Sequence, residues 1–183
     1  MDTLQGNLLI ASPSLLDPNF WRTVVLITEH TDEGAAGLVI NRPSPSPVSE
    51  LVPQLELLVD DGEQVWVGGP VQPDAVLVLG EFVDVEEAAV PLFGSLGFPA
   101  LDDPEEVVPV TTRRRVFAGY AGWEAGQLES ELERDRTLAR RGGPHEQDRG
   151  SHGGRICDQR LERSDNRRTA QKRSPGAQIN GRA

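Results

Sequence analysis

Three short apolar runs crowded into residues 6 to 43, GNLLIASPSLLDPNFWRTVVLITEHTDEGAAGLVINRP, constrain the fold of this chain more than any other stretch. Residues 8 to 11 are stopped by Ser12 and Pro13, residues 23 to 30 are rich in β-branched side chains, and residues 37 to 41 end before Pro43. Each reads as a strand. The second and third are joined by a polar loop over residues 31 to 35, where Gly34 supplies a backbone conformation that other residues resist, so the pair is a hairpin. In the connection before it, Pro18 holds Asp17 extended and two aromatics follow at once. Phe20 and Trp21 are expected to pack that loop down, at ~1.5 to 3 kcal/mol for each side chain fully buried.

After the hairpin, the alternating prolines of residues 43 to 47 predict a stiff extended linker. Val48, Leu51, Val52, Leu55 and Leu58 then recur at helical spacing, with Ser46 or Ser49 as cap and Pro53 in or kinking the first turn. Residues 64 to 68 and 75 to 80 read as strands, the second apolar on both faces and so interior. Residues 82 to 104 predict a loop with one short strand. Residues 107 to 120 read as a strand carrying Arg113, Arg114 and Arg115, and residues 121 to 136 as a turn and an amphipathic helix. From Thr137 the chain has no Val, Phe, Trp or Tyr. It cannot bury enough surface to offset ordering, and disorder is expected over residues 137 to 183.

Charge divides the chain at the same place. Of the formal net charge of -11, residues 137 to 183 contribute eleven bases against five acids, or +6, so residues 1 to 136 stand at -17. A domain so acidic is repelled by phosphate backbones, which argues against direct binding of nucleic acid. The one cysteine, Cys157, has no partner for an internal disulfide, residues 1 to 5 are no secretory leader, and no apolar run approaches the ~20 residues that cross a bilayer. A soluble cytoplasmic protein with no membrane segment is expected.

Catalytic constellations are few. His30 is the sole histidine outside the tail, His145 and His152 lie within it, and no metal-ligand spacing or cofactor fingerprint is present. Ser12 or Ser14 with His30 and Asp17 would make a nucleophilic triad, but no nucleophile elbow surrounds either serine. The hairpin offers more. Strand alternation places Arg22, Val24, Leu26, Thr28 and His30 on one face, with Leu38, Ile40 and Arg42 on the matching one. Arg22 and Arg42 then approach each other beside Asp17, either as paired guanidiniums for a small anion or as partners of Asp17 that fix the loop. The second reading is favoured. Glu29 and Asn41 fall on the other face, bonding to loop backbone, and residues 113 to 115 read as a charged edge strand.

The same wording resembles the AlgH (YqgE, UPF0301, DUF179) family of small bacterial proteins over residues 4 to 136. LLIA-P-L-DP-F-RTVVL-EH and GA-GLV-NRP contain Pro18, Phe20, Glu29 and Asn41. Gly68-Gly69-Pro70 matches GGPV, and Gly122, Trp123 and Gly126 fall in F-GY-GW and GQL-E. The resemblance implies an α+β fold with a mixed, bifurcated sheet curled into a pseudo-barrel between helices. In the family, GQL-E is followed by Trp, an apolar strand and a closing helix; here a polar tail follows, which would leave a sheet edge bare. One lysine against seventeen arginines indicates GC-rich coding, so a frameshifted ending is the first reading of that tail and a natural one the second. The resemblance also implies a poorly characterised regulator of transcription that acts indirectly, or a binding protein, with an unknown protein partner. The rival is a small-anion binder or uncharacterised enzyme using Asp17, Arg22, His30 and Arg42.

Overall fold

The computed structural model describes residues 3 to 13, 15 to 135 and 138 to 141, with side chains up to Glu133. Strand β1 (Leu8–Ala11) buries Leu9 and Ala11 on one face by the two-residue alternation of a strand. It pairs antiparallel with β2 (Val24–Thr31), which pairs with β3 (Gly34–Val39). The hairpin turn is tighter than the sequence predicts. Thr31 pairs with Gly34, so only Asp32 and Glu33 form the turn. The register also slips between Ile27 and Glu29, making Thr28 a bulge. Beyond it, the alternation that put Arg22 and His30 on a single face fails.

The proline ribbon is not a linker but a strand, β4 (Pro43–Pro47), paired antiparallel with β5 (Gln64–Val67). Proline is tolerated there because an edge strand needs no donors on its outer side. Between the two, the single helix expected over residues 48 to 58 breaks into α1 (Val48–Leu51) and a 3-10 helix (Pro53–Leu58). Pro53 disfavours the α conformation at Val52, which sits at φ -141 and ψ 64. Neither serine caps; the cap position is Pro47, with no side-chain hydrogen bond.

Strand β6 (Val71–Phe82) is interior, as its two apolar faces predict. Residues 82 to 104 are more ordered than expected: a 3-10 turn (Val85–Glu87) leads into a hairpin of β7 (Val90–Phe93) and β8 (Leu96–Phe98). Helix α2 (Pro104–Val110) then occupies the start of the predicted strand. Asp103 caps it by accepting the Glu105 amide at 3.0 Å, and Pro104 stands in the first turn, where its missing N–H costs nothing. The strand proper, β9 (Thr111–Glu124), is followed by α3 (Gln127–Asp135) and β10 (Leu138–Arg141).

The sheet runs β10-β1-β2-β3-β9-β6-β8-β7, and β5 joins β9 in parallel through Trp66 and Phe117, with β4 beyond it. One strand, β9, therefore has two branches on one edge. The sheet is mixed, forked and curled: a Cβ on Gly6, just before β1, would lie 3.1 Å from the ring of Phe93 in β7. Arg113 to Arg115 pair with β6 on one side, while β5 and β3 join the other side of β9 further along, at Phe117–Ala118 and at Ala121–Glu124, so this stretch is an edge within a strand that is interior elsewhere. Two apolar cores flank the fork. One contains Leu9, Val25, Ile27, Val39, Trp123 and Leu128 and takes in Phe20; the other contains Val48, Leu58, Val65, Val78, Val107 and Val116.

Strand β10 corrects the expectation that structure ends at Thr137 and leaves a sheet edge bare. Leu138 pairs with Ala11 and Arg141 with Leu8, covering the outer side of β1. A backbone ladder asks nothing of side-chain polarity, so a composition argument misses it. Residues 142 to 183, with His145, His152, Cys157 and the frameshift reading, lie outside the described residues, as does Ser14.

Candidate functional site

The connection between β1 and β2 folds on its own backbone. Asp17 accepts the Asn19 amide on Oδ1 at 2.7 Å, and its carbonyl accepts the amides of Phe20 and Trp21 at 3.1 and 2.7 Å. This is an Asx-type turn, and it occupies the carboxylate expected to face the arginines. The carbonyls of Pro18, Asn19 and Trp21 converge instead on the guanidinium of Arg42, which donates to them at 3.1, 2.7 and 2.9 Å. A planar fork with five N–H groups suits three acceptors of fixed direction.

Arg22 takes a left-handed conformation at φ 56 and lays its guanidinium 4.3 Å from the centroid of the Trp21 ring. Asn41 fastens this point by donating Nδ2–H to the Arg22 carbonyl and accepting the Val24 amide on Oδ1, both at 2.9 Å. Arg22 meets the Trp21 ring and Arg42 the Trp21 carbonyl, and neither forms an ion pair with Asp17. The loop's aromatics divide. Phe20 packs into the first core, its ring 6.2 Å from that of Trp123, whereas Trp21 is 45% exposed and Leu16 is 85% exposed.

His30 lies at the far end of β2, roughly 20 Å away at ~3.3 Å per residue. Its Nδ1 accepts the Leu4 amide at 3.0 Å, which requires Nε2 to carry the ring proton, and Nε2 meets Glu129 Oε1 at 2.6 Å. A hydrogen bond from its own backbone N–H, and then the one from His30, hold the Glu129 carboxyl below the usual glutamate range. With both ring nitrogens engaged, His30 is no base for Ser12, and the triad reading fails. The proposed quartet separates into two places: Asp17, Arg22 and Arg42 in one, His30 in the other.

Of the remaining motif residues, Pro18 and Asn41 act in the braced turn, while Glu29 is exposed opposite Ala36 and takes no part in it. Gly68 sits in the fork, donating to Ala118 O at 2.8 Å and accepting from the Val39 amide at 2.7 Å. A Cβ there would stand 2.2 Å from Gly119 O, and one on Gly69 would stand 2.2 Å from the Tyr120 carbonyl carbon. Gly69 and Pro70, with Asn19, Val39, Arg42 and Val67, line a cavity of about 60 Å³. Gly122 pairs with Ala36 in β3, Trp123 donates Nε1–H to Glu131 at 3.0 Å, and Gly126 turns the chain into α3. Sequence reasoning misses Asn19, whose contribution is a carbonyl that any residue has, and Val67, whose side chain matters only once β5 is placed.

The arginine run is structural. Arg114 donates Nε–H to Leu58 O at 2.6 Å and Nη1–H to Thr111 Oγ1 at 2.8 Å. Arg115 stacks 4.0 Å from the centroid of the half-buried Trp66 ring, where burial lowers its pKa against the attraction of Glu63. Among the described residues no group of three or more His, Cys, Asp or Glu is placed to hold a metal ion, and no helix is long and apolar enough to cross a membrane.

The AlgH-like family model matches residues 8 to 140, reaching into β10. A UPF0301 protein of Mycobacteroides abscessus is 43% identical over 136 residues, covering 71% of this chain and 65% of that one. Another, from Rhodococcus jostii, is 43% identical over 136 residues and 68% of its length. The match thus spans about two thirds of these relatives. Among solved structures, a Corynebacterium diphtheriae protein aligns with TM-score 0.71 and 29% identity over 76% of each chain. The solution structure of AlgH from Pseudomonas aeruginosa aligns with TM-score 0.63 and 34% identity over 78% of this chain and 79% of that one.

Proposed function

The chain belongs to the AlgH-like family, and on that footing we propose that it is a non-enzymatic cytoplasmic binding protein whose contact face is the braced turn of residues 17 to 22. Any effect on transcription then passes through a protein partner rather than through DNA. The observation that carries this reading is the use of Arg42: its guanidinium holds three carbonyls of the turn, while Leu16, Trp21 and Arg22 face outward. Ordering an exposed aromatic costs entropy, and a turn ordered in advance lowers the cost of binding. Trp and Arg are the residues that most often anchor protein interfaces. The adjoining cavity of about 60 Å³ is small beside the ~300 to 1,000 Å³ of small-molecule pockets.

A photo-crosslinking amino acid placed at Leu16 or Trp21 in the full chain, in its own host, tests this reading, with Asp61 in an exposed turn as control. One discrete protein adduct from positions 16 and 21 and none from 61 is the expected result. No adduct, or the same adducts from all three positions, overturns it. A rise in melting temperature with a carboxylate or phosphate metabolite, abolished in Arg42→Ala, would establish the small-anion rival instead.

A further inference from the structure

We propose that His30 is a pH-sensitive latch on the N-terminal segment, holding residues 3 to 6 while neutral and releasing them when its ring is protonated. Within the segment the Leu4 side chain is buried in the first core, and its carbonyl accepts the Asn7 amide and Nδ2–H at 3.0 and 2.9 Å. Toward β2, Thr3 Oγ1 donates to His30 O at 3.4 Å, and three further bonds follow. The Leu4 amide donates to His30 Nδ1 at 3.0 Å, Gln5 Nε2–H donates to Thr28 O at 2.9 Å, and the Gly6 amide donates to Ile27 O at 2.8 Å. The last of these sits under the Phe93 ring, so the segment also bridges β1 to the β7–β8 hairpin across the curl of the sheet.

The two nitrogens of His30 face opposite demands. Toward the N-terminal segment the ring must accept, since an amide N–H points at Nδ1; toward α3 it must donate, since a carboxylate points at Nε2. Neutral imidazole with its proton on Nε2 satisfies both. A second proton would go to Nδ1, where it would face the Leu4 N–H with no acceptor between two donors. The Glu129 side is unharmed by that proton, because the contact becomes a full ion pair. Protonation therefore tightens the ring onto α3 and turns its other side against Leu4. Of the elements around the ring, α3 brings Glu129; on β3 the residue opposite His30 is the uncharged Ala35, and the N-terminal segment from Thr3 to Gly6 has no titratable side chain. Glu29 precedes His30 on β2 and is exposed. The ring itself is 5% exposed, so water cannot readily take the place of the lost acceptor. Release frees Leu4, which is 7% exposed in the closed form, and uncovers apolar surface beside Phe93.

The test is hydrogen exchange of individual amides in the full chain at pH 8 and pH 5, expressed as protection over the intrinsic rate at each pH. The Leu4 protection factor is expected to fall about tenfold at pH 5 while that of Val39, bonded to Gly68 O in the fork, stays constant. His30→Asn, whose Oδ1 stands in for Nδ1 as an acceptor and cannot charge, should lose the pH dependence. Nitrogen-15 spectra of the wild-type ring should show the Nε2–H form at pH 8, a readout that does not depend on the variant folding. Constant protection of Leu4, an equal fall in His30→Asn, or a ring protonated on Nδ1 at pH 8 overturns the latch.

Discussion

Arginine 22 separates what a residue's chemistry suggests from what its backbone requires. Its charge and its neighbour Asp17 predict an ion pair, yet Asp17 is spent on the Asn19 amide and the defining property of Arg22 is φ 56. A non-glycine residue in that region bears about 1 to 2 kcal/mol of strain, offset in part by stacking on Trp21, worth ~0.5 to 1 kcal/mol at an exposed site. Alanine at this position keeps the strain and loses the stacking; glycine loses both. Arg22→Gly is therefore expected to be more stable than Arg22→Ala by about 0.5 to 1 kcal/mol, measured by urea unfolding. An Ala variant equal to or more stable than the Gly variant would show that the left-handed turn is not strained. The candidate site was legible to this extent: the β2–β3 register, continued outward from Val25 opposite Val39, directs Arg22 and Arg42 to one end of the hairpin. That Arg42 binds carbonyls rather than carboxylate was not legible, because main-chain oxygens have no signature in residue identity.

Strands announced by β-branched runs, such as Thr23-Val24-Val25, appear where the sequence puts them, and so does the forked sheet implied by the family wording. The misreadings occur where pairing rather than propensity decides. Residues 43 to 47 are a strand because β5 accepts them, Thr28 bulges because the turn at Asp32 and Glu33 sets the register, and Leu138–Arg141 is a strand because β1 has an open side. None of these partners is local. The contribution of β10 can be measured directly. Deleting residues from Leu138 onward should lower stability by on the order of 1 to 3 kcal/mol, since each net backbone hydrogen bond contributes about 0.5 to 1.5 kcal/mol against the entropy of ordering the strand. Deleting from Glu146 onward leaves β10 in place and should change the melting temperature little. Equal melting of the two truncated chains would deny β10 a stabilising role.

At the scale of the molecule, two cores share one strand, and the fork at Gly68 is where they join. The glycines of the motifs are not alike there. A Cβ at Gly68 would overlap Gly119 O at 2.2 Å, while one at Gly122 would make ordinary contacts at 3.5 Å with Tyr120 and Val71. Gly68→Ala is expected to cost about 3 kcal/mol or more, because the clash is with backbone that cannot rotate away. Gly122→Ala should fall within about 0.5 kcal/mol of the parent, as substitutions without a named defect do. Similar losses for both would mean that the fork opens without penalty. In variants that keep only Trp66, beside one core, or only Trp123, within the other, one unfolding transition common to both would show the cores to be coupled through β9. The pairing of Leu8 with Arg141 has a mechanical consequence as well. Traction applied between these two points pulls across the β1–β10 ladder from its open end, so its hydrogen bonds fail one after another rather than together. A translocating motor that grips the chain beyond Arg141 meets its weakest resistance first, peels β10, and leaves β1 as the new rim.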